Sequence, residues 1–436
     1  MWLQRLRSLD KEITVGVIGA GSMGRGLVYQ CAITPGIRCA VLADLDIDRA
    51  IASVEHTGLP YKVVRSLSDV NDAIRLGVMA VCEDGALVSE CDGIDALIES
   101  TSAISEGGRF AERALLTGKH LVLMNSEIDL SFGPHFLRLA RENGLVFTSC
   151  DGDQHGVIKR LHDEMTLWGL EPVMAGNIKG FLDRYSNPTR IVPEADKRNL
   201  DYRMATAYTD GSKLAIEMAL VSNALDYVPA RPGMMGPRAG HVSDVFDLFD
   251  FHAIRETGRP VVDYILGAEP GGGVFCVGYC DDPYQMGMLS YYKMGSGPFY
   301  LFYRPYHLCH VEAMQCVAEA CLDGTSLLEP DYGFRANVNA FAKRDLHAGD
   351  VLDGLGGYDC YGLIEEVTEE SVQTVLPLCI SEGARLLHDV AKDGRITMDD
   401  VAFENGNVAL AMYEKALGQR VSRTIAQEDP LRFQSV

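Results

Sequence analysis

Residues 14–44 read TVGVIGAGSMGRGLVYQCAITPGIRCAVLAD. Val15, Val17 and Ile18 form a short apolar run of strand type, and Gly19, Gly21 and Gly24 supply G-x-G-x-x-G where a helix should begin. The three glycines serve different ends. The first makes the tight turn, the second lets backbone approach a pyrophosphate, and the third lets the helix pack on its strand. The helix opening at Ser22 and Met23 then turns its unpaired N–H groups toward the phosphates. A second apolar run, Cys39 to Ala43, ends in Asp44, 20 residues beyond the last glycine, where a carboxylate can hold both ribose hydroxyls. That carboxylate repels the 2′-phosphate of NADP, and the next basic residue, Arg49, lies a helical turn or more away, so NAD is favoured over NADP. Two plainer alternatives stand beside this. Asp44 could cap a helix starting near Ile47, and the whole stretch could be a glycine-rich turn without a ligand.

The chain has 436 residues, 47% of them hydrophobic, enough for two or three domains with large cores. No apolar run approaches the roughly 20 residues needed to span a bilayer. The N-terminal MWLQRLRSLDKE is broken by charges and has no signal-peptide core, so a soluble, cytoplasmic protein is expected. Twelve cysteines occur without a C-x-x-C pair, which argues for buried reduced thiols. The 61 acidic and 39 basic residues leave a net charge of −22, which argues against nucleic acid and anionic membrane as partners. An anionic substrate would need a local basic pocket.

Beyond Asp44, strand-like and helix-like segments alternate. Ile94–Glu99, His120–Met124 and Leu145–Ser149 read as strands, and Gly108–Leu116 and Phe132–Glu142 as helices. This pattern describes an α/β doubly wound parallel sheet, the Rossmann arrangement. Ser100, Thr101, Ser102 and then Asn125, Ser126, Glu127 fall at carboxyl ends of strands, where they could line a nicotinamide site or simply serve turns. Residues 66–90 interrupt the pattern with a helix, a short strand and another helix.

A polar break at Asp151 opens a second unit, with a helix from Val157 to Leu167, a strand around Pro172 to Ile178 and a long loop over residues 179–195. Asp210-Gly-Ser-Lys213 then precedes a helix that is apolar on nearly every face and should be buried, with Asp210 as its N-cap. Lys213 thus falls in the first turn, where helix dipole and poor solvation would lower its pKa toward proton-transfer range. It could polarise a carbonyl, or it could be held by Glu217 one turn on. Arg238, Lys293, Arg304 and His307 are cations on loops or strand ends that could converge on a carboxylate or phosphate. The aromatic alternation from Phe299 to Tyr303 reads as two faces of a packed strand. The last hundred residues suggest a small β-rich unit.

GAGSMG (19–24), GKHLVLMNSE (118–127), EADKRNL (194–200), DGSKLAIEMA (210–219), GMMGPRA (233–239), GSGPFYLFYRPYHL (295–308) and AKRDLHAGDVLD (342–353) together resemble the homoserine-dehydrogenase-like oxidoreductases typified by the deoxyxylulose-phosphate-reductoisomerase-like (DRL) protein. The resemblance runs nearly end to end. It implies a Rossmann domain over 1–150, a catalytic and dimer-forming α/β domain over 151–335, and a SAF-like β-rich domain over 336–436. It puts Lys213, Lys179 and Asp210 in the catalytic stretch and Arg238, Lys293, Arg304 and His307 on substrate; Thr101 and Asn125 join the glycine loop and Asp44 at the cofactor. The typifying activity is an NADPH-dependent reductoisomerisation, for which a divalent metal is usual; Glu127, Asp151 and Asp153 could supply oxygen ligands. Three residues depart from the pattern. Asp44 stands where arginines suit NADP, Ser296 where the glycine loop carries a lysine, and Ser126 where true homoserine dehydrogenases place a lysine. The resulting expectation is an NAD-preferring oxidoreductase, a homodimer or higher homo-oligomer, acting on a small polyhydroxylated carbonyl or alcohol. Its rivals are an NADPH-dependent reductoisomerase of a sugar phosphate and a non-catalytic NAD-binding sensor.

Overall fold

The structure is a computed structural model that describes residues 2–198, 200–418 and 424–425. Seven strands, β1 (Ile13–Ile18), β2 (Ile37–Ala43), β3 (Tyr61–Val63), β4 (Met79–Cys82), β5 (Ala96–Glu99), β6 (His120–Leu123) and β7 (Phe147–Ser149), form one sheet in the order β3-β4-β2-β1-β5-β6-β7. Every neighbouring pair is parallel. Helices cover both faces, which is why the central strands read as unbroken apolar runs. The segment that interrupts the sequence pattern supplies β4, wedged between β2 and β3. Chain order reverses between β1 and β5, and this switch point brings Gly19 beside Ser100: a Cβ on Gly19, whose φ is +98°, would lie 2.9 Å from the Ser100 carbonyl.

The helix after β6 runs from Ser126 to Glu142, six residues longer at its start than the sequence pattern indicates. Asn125 caps it by accepting the Ile128 N–H at 3.2 Å, so Ser126 and Glu127 occupy a first helical turn rather than a loop.

A second sheet contains β8 (Glu171–Lys179), β9 (Val228–Pro229), β10 (Val261–Leu266), β11 (Val274–Tyr279) and β12 (Phe299–Arg304) in the order β12-β11-β8-β10-β9. Strands β8, β10 and β9 are parallel, whereas β11 is antiparallel to both of its neighbours. Lys179 pairs with Leu266, and Asn177 with Val274, which pairs in turn with Arg304. One edge of this sheet therefore gathers Lys179, the β10–β11 turn and the exit from β12.

Helix Ser212–Leu225 is buried over all but its last residue and packs on both domains. Two further strands, β13 (Ala336–Ala342) and β14 (Cys360–Glu366), pair antiparallel and lie against it; the Gly362 N–H donates to Ser212 Oγ at 2.8 Å. Short pieces β15 (Arg385–Leu386), β16 (Val401–Phe403) and β17 (Thr424–Ile425) make a fourth, small sheet. The helix Val408–Leu417 then returns to the dinucleotide domain, where Lys415 meets Glu112 at 2.6 Å. The β-rich tail is thus tied to both preceding domains. Among the described residues no helix is long and apolar enough to cross a membrane.

Candidate active site

The three glycines of the loop differ in their surroundings. A Cβ on Gly24 would sit 1.8 Å from the Gly19 carbonyl oxygen, whereas one on Gly21 would meet no protein atom within 4 Å. Close helix packing accounts for Gly24, and the open side lies at Gly21, at the start of helix Ser22–Ile33. Asp44 leaves the end of β2 and accepts the Ala20 N–H at 2.6 Å and the Asp46 N–H at 2.8 Å. The cap of helix Ile47–Glu55 is Asp46, not Asp44. Arg49 is also closer than sequence distance suggests: its Nη1 lies 3.8 Å from Asp44 Oδ1 because the first turn of that helix folds back over β2. Thr101 donates its N–H to Glu99 Oε1 at 3.0 Å, and burial pushes the Glu99 carboxyl up to about 7.

Lys213 reaches from helix Ser212–Leu225 into the carboxyl end of the dinucleotide sheet. Its Nζ donates to Ser126 Oγ and, at 2.8 Å, to Glu127 Oε1, both in the first turn after the Asn125 cap. The lowered pKa expected for Lys213 is overturned. Burial does pull the ammonium down, but Glu127, Tyr208, Asp153 and Glu217 surround it and hold its value well above the ordinary one. Glu217, the expected partner one turn on, instead faces Lys179 at 3.9 Å, and burial pushes its carboxyl up to about 7. Asp210 is the last residue of helix Tyr202–Asp210 and not the formal N-cap, which is Gly211 at φ +90°. Its carboxylate still accepts the Ser212 N–H at 2.8 Å, while its other oxygen meets Lys343 Nζ at 2.8 Å.

His307 arrives from the other domain edge, on the segment leaving β12, with its Nδ1 2.7 Å from the Gly272 carbonyl. The remaining expected substrate cations do not gather there. Arg304 is held by Glu312 and stacks 4.7 Å over the Tyr306 ring. Lys293 is exposed beyond the opposite end of β12, because the antiparallel register places Phe299 beside Tyr279 and Arg304 beside Val274. Arg238 bridges Leu266 at the correct edge of the sheet but is exposed, lining an open cleft with Asp244 and Asp247.

The oxygen-ligand set expected for a divalent metal does not assemble. Glu127 is taken by Lys213, and Asp151 binds Arg160 at 2.7 Å. Asp153 instead faces His307 and Cys309. Tyr208, His155 and Cys309 join the cluster without a sequence signal. Tyr208 lies across the Gly211 break from Lys213, and burial holds the enclosed His155 imidazole below its ordinary value. Tyr208 is 37% exposed, so the buried charges open to solvent on its side.

Residues 152–313 match the family model for the catalytic domain of the oxidoreductase DRL. That match, behind a Rossmann domain, supports an NAD(P)-dependent enzyme. No curated protein matches it significantly. Solved structures with partial similarity include a variant 3-ketoreductase from Actinomadura kijaniata with NADP, 19% identical over 39% of this chain and 50% of that one, TM-score 0.28. Myo-inositol dehydrogenase from Lactobacillus casei with NAD(H) and myo-inositol is 18% identical over 43% and 53%, TM-score 0.30. The 1-deoxy-D-xylulose 5-phosphate reductoisomerase from Zymomonas mobilis with NADPH is 18% identical over 48% and 57%, TM-score 0.35. This chain spans between 50% and 57% of the length of those three, and likeness at this level carries no argument about substrate.

Proposed function

We propose that the enzyme moves a hydride between NAD, in preference to NADP, and the carbonyl or alcohol carbon of a small polyhydroxylated compound bound between the dinucleotide sheet and the 152–313 domain. The observation that supports this reading is the position of Lys213, buried yet joined to Ser126 and Glu127 immediately after Asn125, at the carboxyl end of β6, one strand beyond the β1/β5 switch point. Its raised pKa makes it a permanent ammonium, a polariser of the substrate oxygen rather than a base. The proton is then exchanged by the Lys179–Glu217 pair, in which Glu217 at about 7 is poised near neutrality. Asp210 sets the turn that carries Lys213. His307 is the second domain's contribution to the substrate site, and Arg238 is a contact for an extended substrate.

A sugar-phosphate reductoisomerase is the second reading, favoured by Arg49, which stands where it could meet the 2′-phosphate of NADP. Against it, Arg304 is neutralised by Glu312 and Lys293 is remote, so two of the four cations expected on a substrate phosphate do not reach the site.

The test is a screen of polyols and sugar acids for NAD+ reduction, with parent and Lys213→Ala compared on any substrate found. The expected result is a loss of turnover of about a hundredfold or more in the variant, with NADH affinity retained. Turnover preserved in Lys213→Ala would remove Lys213 from the chemistry. NAD binding with no turnover on any compound would instead support a sensor.

A further inference from the structure

We infer that Asp153, His307 and Cys309 form a transition-metal site, suited to Zn2+ and distinct in its donors from the all-oxygen site that the sequence suggests. Their ligand atoms, a carboxylate oxygen, an imidazole nitrogen and a sulfur, all lie within 4.8 Å of one another. Cys309 Sγ is 4.0 Å from Asp153 Oδ1. In a tetrahedral zinc site the donors stand about 3.5 Å apart, so small side-chain movements close the set. One oxygen, one nitrogen and one sulfur are the donors of a borderline-soft cation, and Mg2+ or Ca2+ would take oxygen alone.

The surroundings are those of a built site. The contact of His307 Nδ1 with the Gly272 carbonyl requires the proton on Nδ1, because a carbonyl only accepts. In the neutral ring Nε2 then carries the lone pair, the tautomer a metal ligand needs, and the Gln154 amide 3.5 Å from it is the group a metal would displace. Asp153 is fixed by the Gln154 N–H, which it accepts at 2.8 Å. Next to it His155 is 2% exposed and leaves Nδ1 unpartnered. Charge points the same way. The Asp153 carboxylate and a Cys309 thiolate would together balance a divalent cation, with the Glu127 and Glu217 carboxyls buried nearby. Asp153 is buried, whereas His307 and Cys309 are half-buried, so a cation held by the three would be reached from their side.

This assignment rests on the proposed hydride transfer for its chemical role. When NAD(P)H gives its hydride to a carbonyl carbon, the C–O π pair moves to the oxygen, which takes a proton as NAD(P)+ is formed. A cation at the three donors would hold that oxygen during the transfer.

The test uses the full chain, stripped with a chelator and titrated with Co2+ as a coloured substitute for Zn2+. One equivalent should bind with a thiolate-to-cobalt charge-transfer band. Cys309→Ser should abolish the band, and Asp153→Asn and His307→Gln should each weaken binding at least tenfold, about 1.4 kcal/mol. Circular dichroism and NADH binding report whether each variant is folded. Cobalt binding without the band, or with an affinity unmoved by all three substitutions in folded protein, overturns the site. Because these readouts need no substrate, a cobalt-binding protein that turns nothing over would count against the hydride-transfer reading and leave the metal site standing.

Discussion

Two buried lysines, one on each side of the Gly211 turn, show how burial and pairing can serve different ends. Lys343 and Lys213 are 6% and 4% exposed, and each meets a carboxylate at 2.8 Å, Asp210 and Glu127 respectively. Lys343 is saturated: it also donates to the Ser186 and Gly357 carbonyls at 2.8 Å each, and its Asp210 partner holds the Ser212 N–H. It clamps the β-rich tail to the turn before the buried helix. Lys213 has a serine hydroxyl and one carboxylate in contact, two further carboxylates acting on it, and a half-exposed tyrosine at the opening. The first environment is closed and balanced. The second is open and over-acidic, which is what a site that must accept a ligand requires.

Replacing each lysine in turn should separate the two roles. Lys213→Met should lose about 10²- to 10⁴-fold in turnover of the folded fraction, because the cation that polarises the substrate oxygen is gone. Equal losses of activity from both lysines per folded molecule would break the distinction. Lys343→Met should lose about 3–5 kcal/mol of stability in urea unfolding, the effect of stranding a buried charge, with a smaller effect on turnover of the folded fraction. Gly24→Ala, which puts a methyl group 1.8 Å from the Gly19 oxygen, should weaken NADH binding by about tenfold or more in calorimetry.

Asp129 supplies the smallest and sharpest contrast, a buried carboxyl whose hydrogen-bond donor is the Ser149 hydroxyl rather than a lysine. Burial pushes it up to about 7 from an ordinary 3.8. A carboxyl whose folded value is raised holds its proton more tightly when folded. Its contribution is therefore complete below 3.8 and is lost as pH rises through about 7. Asp129→Asn should flatten the fall in stability across that window, as read by thermal unfolding at a series of pH values. A variant with the parent's slope would show that Asp129 titrates as an ordinary carboxyl.

The glycine loop, the parallel sheet and the buried helix are legible in the sequence because each depends on local spacing: turn glycines, apolar runs and an all-round apolar helix. What depends on distant pairing is not. Glu127 stands 86 positions from Lys213, and the surplus of acid that reverses the lysine's expected shift comes from separate segments. Sequence distance separates Arg49 from Asp44, yet the helix turn returns it to 3.8 Å. Lys293 and Arg304 share one phrase, but strand direction carries them to opposite ends of β12. Cys309 has no sequence signal, since only the fold brings Asp153 to it.

Calorimetric titration of the parent enzyme with NADH and with NADPH tests the assignment of the dinucleotide end, on which the placement of the nicotinamide beside Lys213 depends. NADH should bind at least tenfold tighter, about 1.4 kcal/mol. NADPH binding as well or better would contradict the reading of Asp44, give Arg49 the deciding role and move the sugar-phosphate reductoisomerase to the front.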